Sequence, residues 1–185
     1  MFPHAYVRKS SLNELRSRMS WIQLPLEVAL SDLNNFVNEK KRLCLDLERG
    51  EAYEDDCEDP FVEIMYNVVP GLVVDLVEKR TATDLAIELG NEVLYLERGT
   101  ELEIVEASGK RVCPLIKEGD GVEEGQRIFY IVTGKLEVRV VRSKTRGVAI
   151  YVGEVVPSEL QRYVAVIVDG SRIRKLVKRT QPRSS

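Results

Sequence analysis

Histidine is almost missing from this chain of 185 residues: His4 is the only one. A single imidazole excludes metal sites built on two histidines. Placed in an N-terminus expected to be frayed, it also argues against a histidine-based triad or acid–base pair. Cysteine is scarce as well. Cys44, Cys57 and Cys113 form neither an even framework nor a C-x-x-C pair, which points to free thiols in a reducing cytoplasm. The opening MFPHAYVRKS has no apolar core of the signal-peptide kind, and no apolar run approaches the roughly 18 residues of a membrane-spanning helix. The expectation is a cytoplasmic protein with no membrane partner. Aromatic residues make up 6% of the chain and are sparse beside its basic runs, which removes the stacking platforms that single-stranded RNA needs.

What remains is a composition for folding. Hydrophobic residues at 44% and charged residues at 31% describe a globular chain long enough for one ample domain or two small ones. A net charge of −3 argues against nucleic acid as the main partner. The charge is unevenly placed. Eight acids fall between Asp46 and Asp59, and six basic residues but no acid follow Asp169. The acidic run lacks the spaced oxygen ligands and turn glycine of a calcium loop, so it reads as a solvated loop and no metal is expected. Cys57, set among these acids, is not a nucleophile in this reading. Arg139, Arg142, Lys144 and Arg146, with the basic C-terminal residues, leave phosphate or RNA binding as a secondary alternative to a solvated strand edge and tail.

Local patterns divide the chain at about residue 100. Ser11-Leu12-Asn13-Glu14 is a capping box, predicting a helix to about Met19. Beyond Pro25, the spacing of Val28, Leu30, Leu33, Phe36 and Val37 predicts a second helix to about Lys41. Leu43, Leu45 and Leu47 alternate as in a strand. Val69-Pro70-Gly71-Leu72 has the chemistry of a type II turn, so Phe61 to Val77 reads as strand–turn–strand. Thr81–Leu89 is expected as a short helix closed by Gly90, with strands over 92–97 and 101–107. Residues 1–100 are therefore expected as a mixed α/β region, 101–169 as an all-β unit of short strands broken by glycine, and 170–185 as a basic tail.

The second half also repeats. A shift of 38 residues lays Gly109 on Gly147, Val112 on Ile150, Val122 on Leu160 and Ile128 on Val166, suggesting two related β-halves joined by a hairpin centred on Lys135. Within it, Gly109 is followed ten residues on by Gly119-Asp120-Gly121-Val122-Glu123-Glu124-Gly125-Gln126, and Lys135 lies ten residues beyond Gly125. This run resembles the biotinyl/lipoyl attachment domain, a flattened barrel-sandwich hybrid of two quasi-symmetric halves whose hairpin lysine carries the cofactor. The resemblance covers about 102–169. Taken with the local patterns of residues 1–100, the fold expected is α+β, a mixed N-terminal region followed by this β-barrel unit. The resemblance also implies biotin or lipoate as a group that Lys135 would carry, with Gly134 in the turn and Gly119, Asp120 and Gly125 shaping the adjoining loop. Where carriers of that family show Ala-Met-Lys-Met or Thr-Asp-Lys-Ala, this chain has Thr133-Gly134-Lys135-Leu136. The whole chain, a mixed region joined to a β-unit, is similar to a family of archaeal proteins described as a domain of unknown function.

On residue chemistry alone, Gly134-Lys135 suits a type II′ turn with positive φ at the glycine. That turn sets Thr133 opposite Leu136, Ile131 opposite Val138 and Phe129 opposite Val140, giving one apolar, buriable hairpin face with Lys135 exposed at the tip. The leading functional expectation is a non-catalytic binding or assembly module with a protein partner and no resident cofactor. The alternative is a carrier subunit modified on Lys135.

Overall fold

The computed structural model describes residues 3–19, 33–155 and 159–180. It resolves into two compact units. One comprises Met1–Asp75, Arg80–Thr100 and Ile173–Ser185; the other comprises Leu76–Lys79 and Glu101–Arg172.

The first unit is a closed β-barrel, which overturns the α+β expectation. Its strands are β1 (His4–Arg8), β2 (Val37–Asp46), β3 (Glu51–Tyr53), β4 (Phe61–Ile64), β7 (Leu85–Leu89), β8 (Glu92–Leu96) and β16 (Arg174–Arg179). They close in the order β1-β4-β2-β3-β16-β8-β7. All neighbours are antiparallel except β16 and β3, which run parallel. The short strands β5 (Val74–Asp75) and β6 (Arg80–Thr81) pair separately. One α-helix, α1 (Leu12–Met19), follows β1 in the place expected from the capping box. The barrel core gathers Tyr6, Leu43, Ala52, Phe61, Ala86, Val93, Tyr95 and Leu176. Phe61 meets Tyr95 edge-on with ring centroids 6.2 Å apart, an arrangement that adds to simple area burial.

Each departure from the sequence expectation has a physical cause. Val37–Lys41 is strand, not helix: β2 shifts register between Asn38 and Arg42, and that irregularity breaks the alternation that marks a strand. The helix expected over 25–32 falls outside the described residues. Leu85–Glu88 is buried throughout, so the run shows no period of two and its length does not decide between helix and strand. The arrangement is a hairpin, with Leu89 paired to Glu92 across Gly90-Asn91 and Gly90 at φ +63°. Pro70 (φ −67°, ψ 129°) and Gly71 (φ 89°, ψ −46°) do form the type II-like turn. The strands around it do not pair with each other, because β4 joins β1 and β2 while β5 joins β6. The N-terminus is not frayed at His4, which opens β1. The C-terminal residues expected as a tail supply β16, wedged between β3 and β8.

Cys44 and Cys57 are joined in a disulfide with Cα atoms 6.2 Å apart, correcting the expectation of free thiols; Cys113 alone is free. The bond ties β2 to the acidic loop across 13 residues. Replacing Cys57 by serine is expected to lower stability by about 2 kcal/mol, the low end for a closed loop of this length. The measurement is the denaturant midpoint of the oxidised protein against the variant. Reduction by dithiothreitol should bring the parent to the variant's value, and an unmoved midpoint would deny the bond any stabilising part.

Among the described residues, the second unit is built of β-strands apart from one 3-10 turn over Gly170–Arg172. A sheet of β10 (Arg111–Pro114), β12 (Arg127–Val132) and β13 (Val138–Arg142) accompanies a sheet of β11 (Gly121–Val122), β14 (Gly147–Glu154), β15 (Gln161–Val168) and β9 (Glu103–Gly109). One core is shared by both: Val112, Ile128 and Phe129 from the first sheet, with Val105, Ala107, Val122, Ala149, Ala165 and Ile167 from the second. That is the packing of a sandwich, in which inward residues of two sheets interdigitate.

Candidate functional site

The β12–β13 hairpin presents Lys135 at its exposed tip. The turn differs from the expected type II′. The Leu136 N–H donates to the Thr133 carbonyl (2.9 Å), and the Thr133 N–H donates to the Glu137 carbonyl (2.9 Å). Gly134 is not in the positive-φ region; Leu136 is, at φ +63°. Three residues, Gly134, Lys135 and Leu136, thus form the loop, a turn followed by a left-handed residue. Leucine in that conformation is strained by about 1 kcal/mol.

The longer loop moves the register by one. Val132 faces Val138, Ile131 faces Arg139, Tyr130 faces Val140 and Phe129 faces Val141. A one-residue slip exchanges the two faces of a strand, so the residues expected to be buried point outward. Leu136 is 71% exposed, Val138 66% and Val140 39%. The inward row is Phe129 with the half-buried Ile131 and Val141. Beside the outward row on β10 lie Arg111, paired with Val132, and the free Cys113, paired with Tyr130.

Gly119, Asp120 and Gly125 build two like turns before β12. In Lys117–Asp120 and Glu123–Gln126 the last residue donates its N–H to the carbonyl of the first (3.1 Å in both), and the glycines sit third, at φ 89° and 81°. Only glycine takes that position without cost. Asp120 Oδ2 accepts the Lys117 N–H at 3.0 Å. The Gly119 N–H is held by the Ala149 carbonyl (2.7 Å), and the Gly125 N–H by the Ser143 carbonyl (2.9 Å). Gly125 sets the foot of the hairpin, at the end of β13 away from Lys135, while Gly119 and Asp120 bond to Ala149 on β14. The structure does not gather them around the lysine.

In the barrel unit, a second polar constellation escaped sequence reasoning. The Tyr6 hydroxyl donates to Glu88 Oε2 at 2.6 Å, and Lys178 Nζ donates to Glu88 Oε1 at 2.6 Å and to Glu54 Oε1 at 2.9 Å. Nearby on the same barrel, Glu63 Oε2 lies 2.9 Å from Lys41 Nζ and 3.1 Å from His4 Nδ1. Burial pushes the Glu88 carboxyl up, but hydrogen bonds from Lys178 and Tyr6 prevail and hold it below the usual carboxylate range. Burial draws Lys178 down, and Glu88 and Glu54 reverse this and hold it above its ordinary value. Burial and the Glu88 acceptor raise the Tyr6 phenol well above its ordinary range. A shallow polar groove lined by Asn38, Lys40, Lys41, Arg42, Glu54, Asp55 and Asp56 opens beside this cluster, with Arg42 Nη1 2.5 Å from Asp56 Oδ1. Tyr6, Glu88 and Lys178 lie on separate strands and Glu54 directly follows β3, and the pairings of β1 with β7, β7 with β8, and β16 with β8 and β3 bring them together.

No group of three or more His, Cys, Asp or Glu side chains is placed to hold a metal ion among the described residues. Nor is any described helix long and apolar enough to cross a membrane.

A closed barrel with a two-sheet β-unit bearing a lysine-tipped hairpin defines a mostly β, two-unit protein. The chain belongs to the family described as an uncharacterised protein conserved in archaea (DUF2118), which matches residues 3–170. It is similar to an uncharacterised protein of Methanocaldococcus jannaschii, 27% identical over 133 residues that make up 69% of this chain and 77% of that one.

Proposed function

We propose that the Glu101–Arg172 unit is a biotinyl/lipoyl-like barrel-sandwich module used for binding or assembly, without catalysis of its own. The observation that carries this reading is the hairpin: a strained Leu136 and the valines Val138 and Val140 are displayed to solvent beside Lys135. Backbone strain of this kind persists where a side chain is wanted in that place, and exposed apolar side chains in one patch mark contact surfaces. Two features support the fold assignment. The shift of 38 residues carries β10 into β14, and it overlaps β12 with β15. In both halves those strands pair antiparallel.

The carrier reading has one specific observation in its favour, the exposed amine at the family's spacing from Gly119 and Gly125. The tip has room for an attached group: a side chain built at Gly134 would meet nothing within 4 Å. There Lys135 Nζ would hold biotin or lipoate through an amide, and the group would supply carboxyl or acyl transfer to a separate enzyme. The intact mass of protein purified from its native host decides between the two. The expected result is the unmodified mass; an increment of biotin or lipoate that disappears in Lys135→Ala would establish the carrier instead.

A further inference from the structure

The three-stranded sheet ends on β13, whose far side pairs with no other strand among the described residues. Because the Thr133 N–H points at Glu137 and antiparallel ladders alternate, Ile131 pairs with Arg139, and Phe129 with Val141, through hydrogen bonds across the hairpin. The N–H and C=O groups of Val138 and Val140 therefore point out of the sheet edge, where a further strand would meet them. Proteins usually blunt such an edge with charge or cover it. Here Val138 and Val140 stand on the outer face at 66% and 39% exposure, with Tyr130 and Val132 opposite them.

The charge on the strand itself is of one sign. From Val138 to Arg146 there are four basic residues and no acid. Arg139 lies 3.8 Å from the exposed Glu137, and Arg142 donates to the Gly125 carbonyl at 2.9 Å. Neither Arg142 nor Arg111 nor Lys135 has a carboxylate within ion-pair distance among the described residues. A second copy of the chain is a poor occupant: antiparallel self-pairing about Val140, the register in which the outward backbone groups meet, sets Arg139 opposite Val141 and diagonal to the other copy's Arg139, and Arg142 opposite Val138, bringing like charges together with no carboxylate for any of them. An acidic strand meets both demands: apolar side chains beside Val138 and Val140, carboxylates beside Arg139.

We propose that the free edge of β13 and the outer apolar row beside it take an acidic, alternating strand of a partner protein by β-strand addition. This rests on the binding-module reading and names the partner's chemistry. Both faces of the strand take part, the outer through apolar contact and the inner through charge.

The test uses the full chain and a soluble heptapeptide alternating glutamate and valine, with a lysine–valine heptapeptide and oligouridylate RNA as comparators. The acidic peptide should bind, slowing exchange of the Val138 and Val140 amides at least ~10-fold, and the basic peptide should not. Val140→Pro removes an edge donor at a position where proline is tolerated and should weaken binding at least ~10-fold, as should Arg139→Glu, which leaves the backbone intact. Equal binding by the folded Val140→Pro protein would sink strand addition, and equal binding by the lysine peptide would sink the charge argument. RNA binding at this strand without peptide binding would overturn the proposal, as would a dimer, seen by sedimentation, that Val140→Pro dissolves. An unmodified Lys135 with no peptide binding overturns this inference alone; a cofactor on Lys135 overturns the reading beneath it.

Discussion

Lys178→Met is expected to destabilise the barrel unit by about 3–5 kcal/mol, the range for removing one partner of a buried ion pair. The lysine head is 2.6 Å from Glu88 Oε1, and the side chains are 21% and 9% exposed. Without the ammonium, the carboxylate stays inside the barrel wall with the Tyr6 hydroxyl as its hydrogen-bond donor and only the more distant charge of Lys41 to favour it. It then either remains charged and poorly solvated or takes up a proton. The denaturant midpoint measures the loss. Removing all three polar groups at once (Tyr6→Phe, Glu88→Leu, Lys178→Met) should be much milder than the single change, because apolar replacement of a whole buried pair is often close to neutral. A single variant as stable as the parent would show that the cluster does not hold the barrel wall together.

The same cluster makes stability depend on pH at both ends. Glu88 is held below its ordinary range in the folded state, so its stabilising contribution is present above the ordinary carboxylate pKa of about 4.3 and is lost as pH falls through the folded value. Lys178 is held above its ordinary value, so its contribution is present below about 10.4 and is lost as pH rises through the folded value. Tyr6, raised as well, acts in the same alkaline direction. Lys178→Met should therefore flatten the acid flank of the stability–pH profile and reduce the alkaline one, where Tyr6, raised chiefly by burial, still acts.

Why the second unit was legible and the barrel was not follows from where pairing information lies. In the unit of Glu101–Arg172, the hairpins close locally, the glycines mark turns, and alternation survives because each sheet has one face on the core. The barrel closes through β16, drawn from more than 70 residues beyond β8, and through a parallel β3–β16 pair. Strands β1, β4, β7 and β8 are largely buried on both sides and β2 is broken by a register shift, so period does not announce them. Tyr6 and Glu88 stand 82 residues apart, and Glu88 and Lys178 stand 90; no local pattern joins such partners. The candidate site was half legible. The spacing of Gly119, Gly125 and Lys135 places the lysine at a tip. Its register depended on whether Gly134 or Leu136 takes the left-handed position, and glycine is the residue chemistry favours there. The structure puts leucine in that conformation, and an apolar row expected inside lies outside.

Gly147→Ala is expected to be the most damaging small substitution in the two-sheet unit, at about 3 kcal/mol or more. Gly147 opens β14, where it pairs with Val122. A Cβ built there would collide with the carbonyl oxygen of Val168 and lie 2.8 Å from its carbonyl carbon and 2.9 Å from Ile167 Cγ2. Backbone of a paired strand cannot turn aside as a side chain can, so β15 must shift along Val164–Val168, all of it buried. Gly109, its counterpart under the 38-residue shift, supplies the comparison. A Cβ at Gly109 meets first the Cγ2 of the half-buried Ile131, with the Val132 carbonyl oxygen 3.0 Å away. Ile131 can yield by changing its χ1, at some cost because it is β-branched, so Gly109→Ala should cost about 1–2 kcal/mol, within the range of overpacking. Denaturant midpoints for the two variants, with amide exchange across β15 as the local readout, check the ranking. Two alanine variants of equal stability would mean that the close approach of β14 to β15 is not what requires glycine at 147.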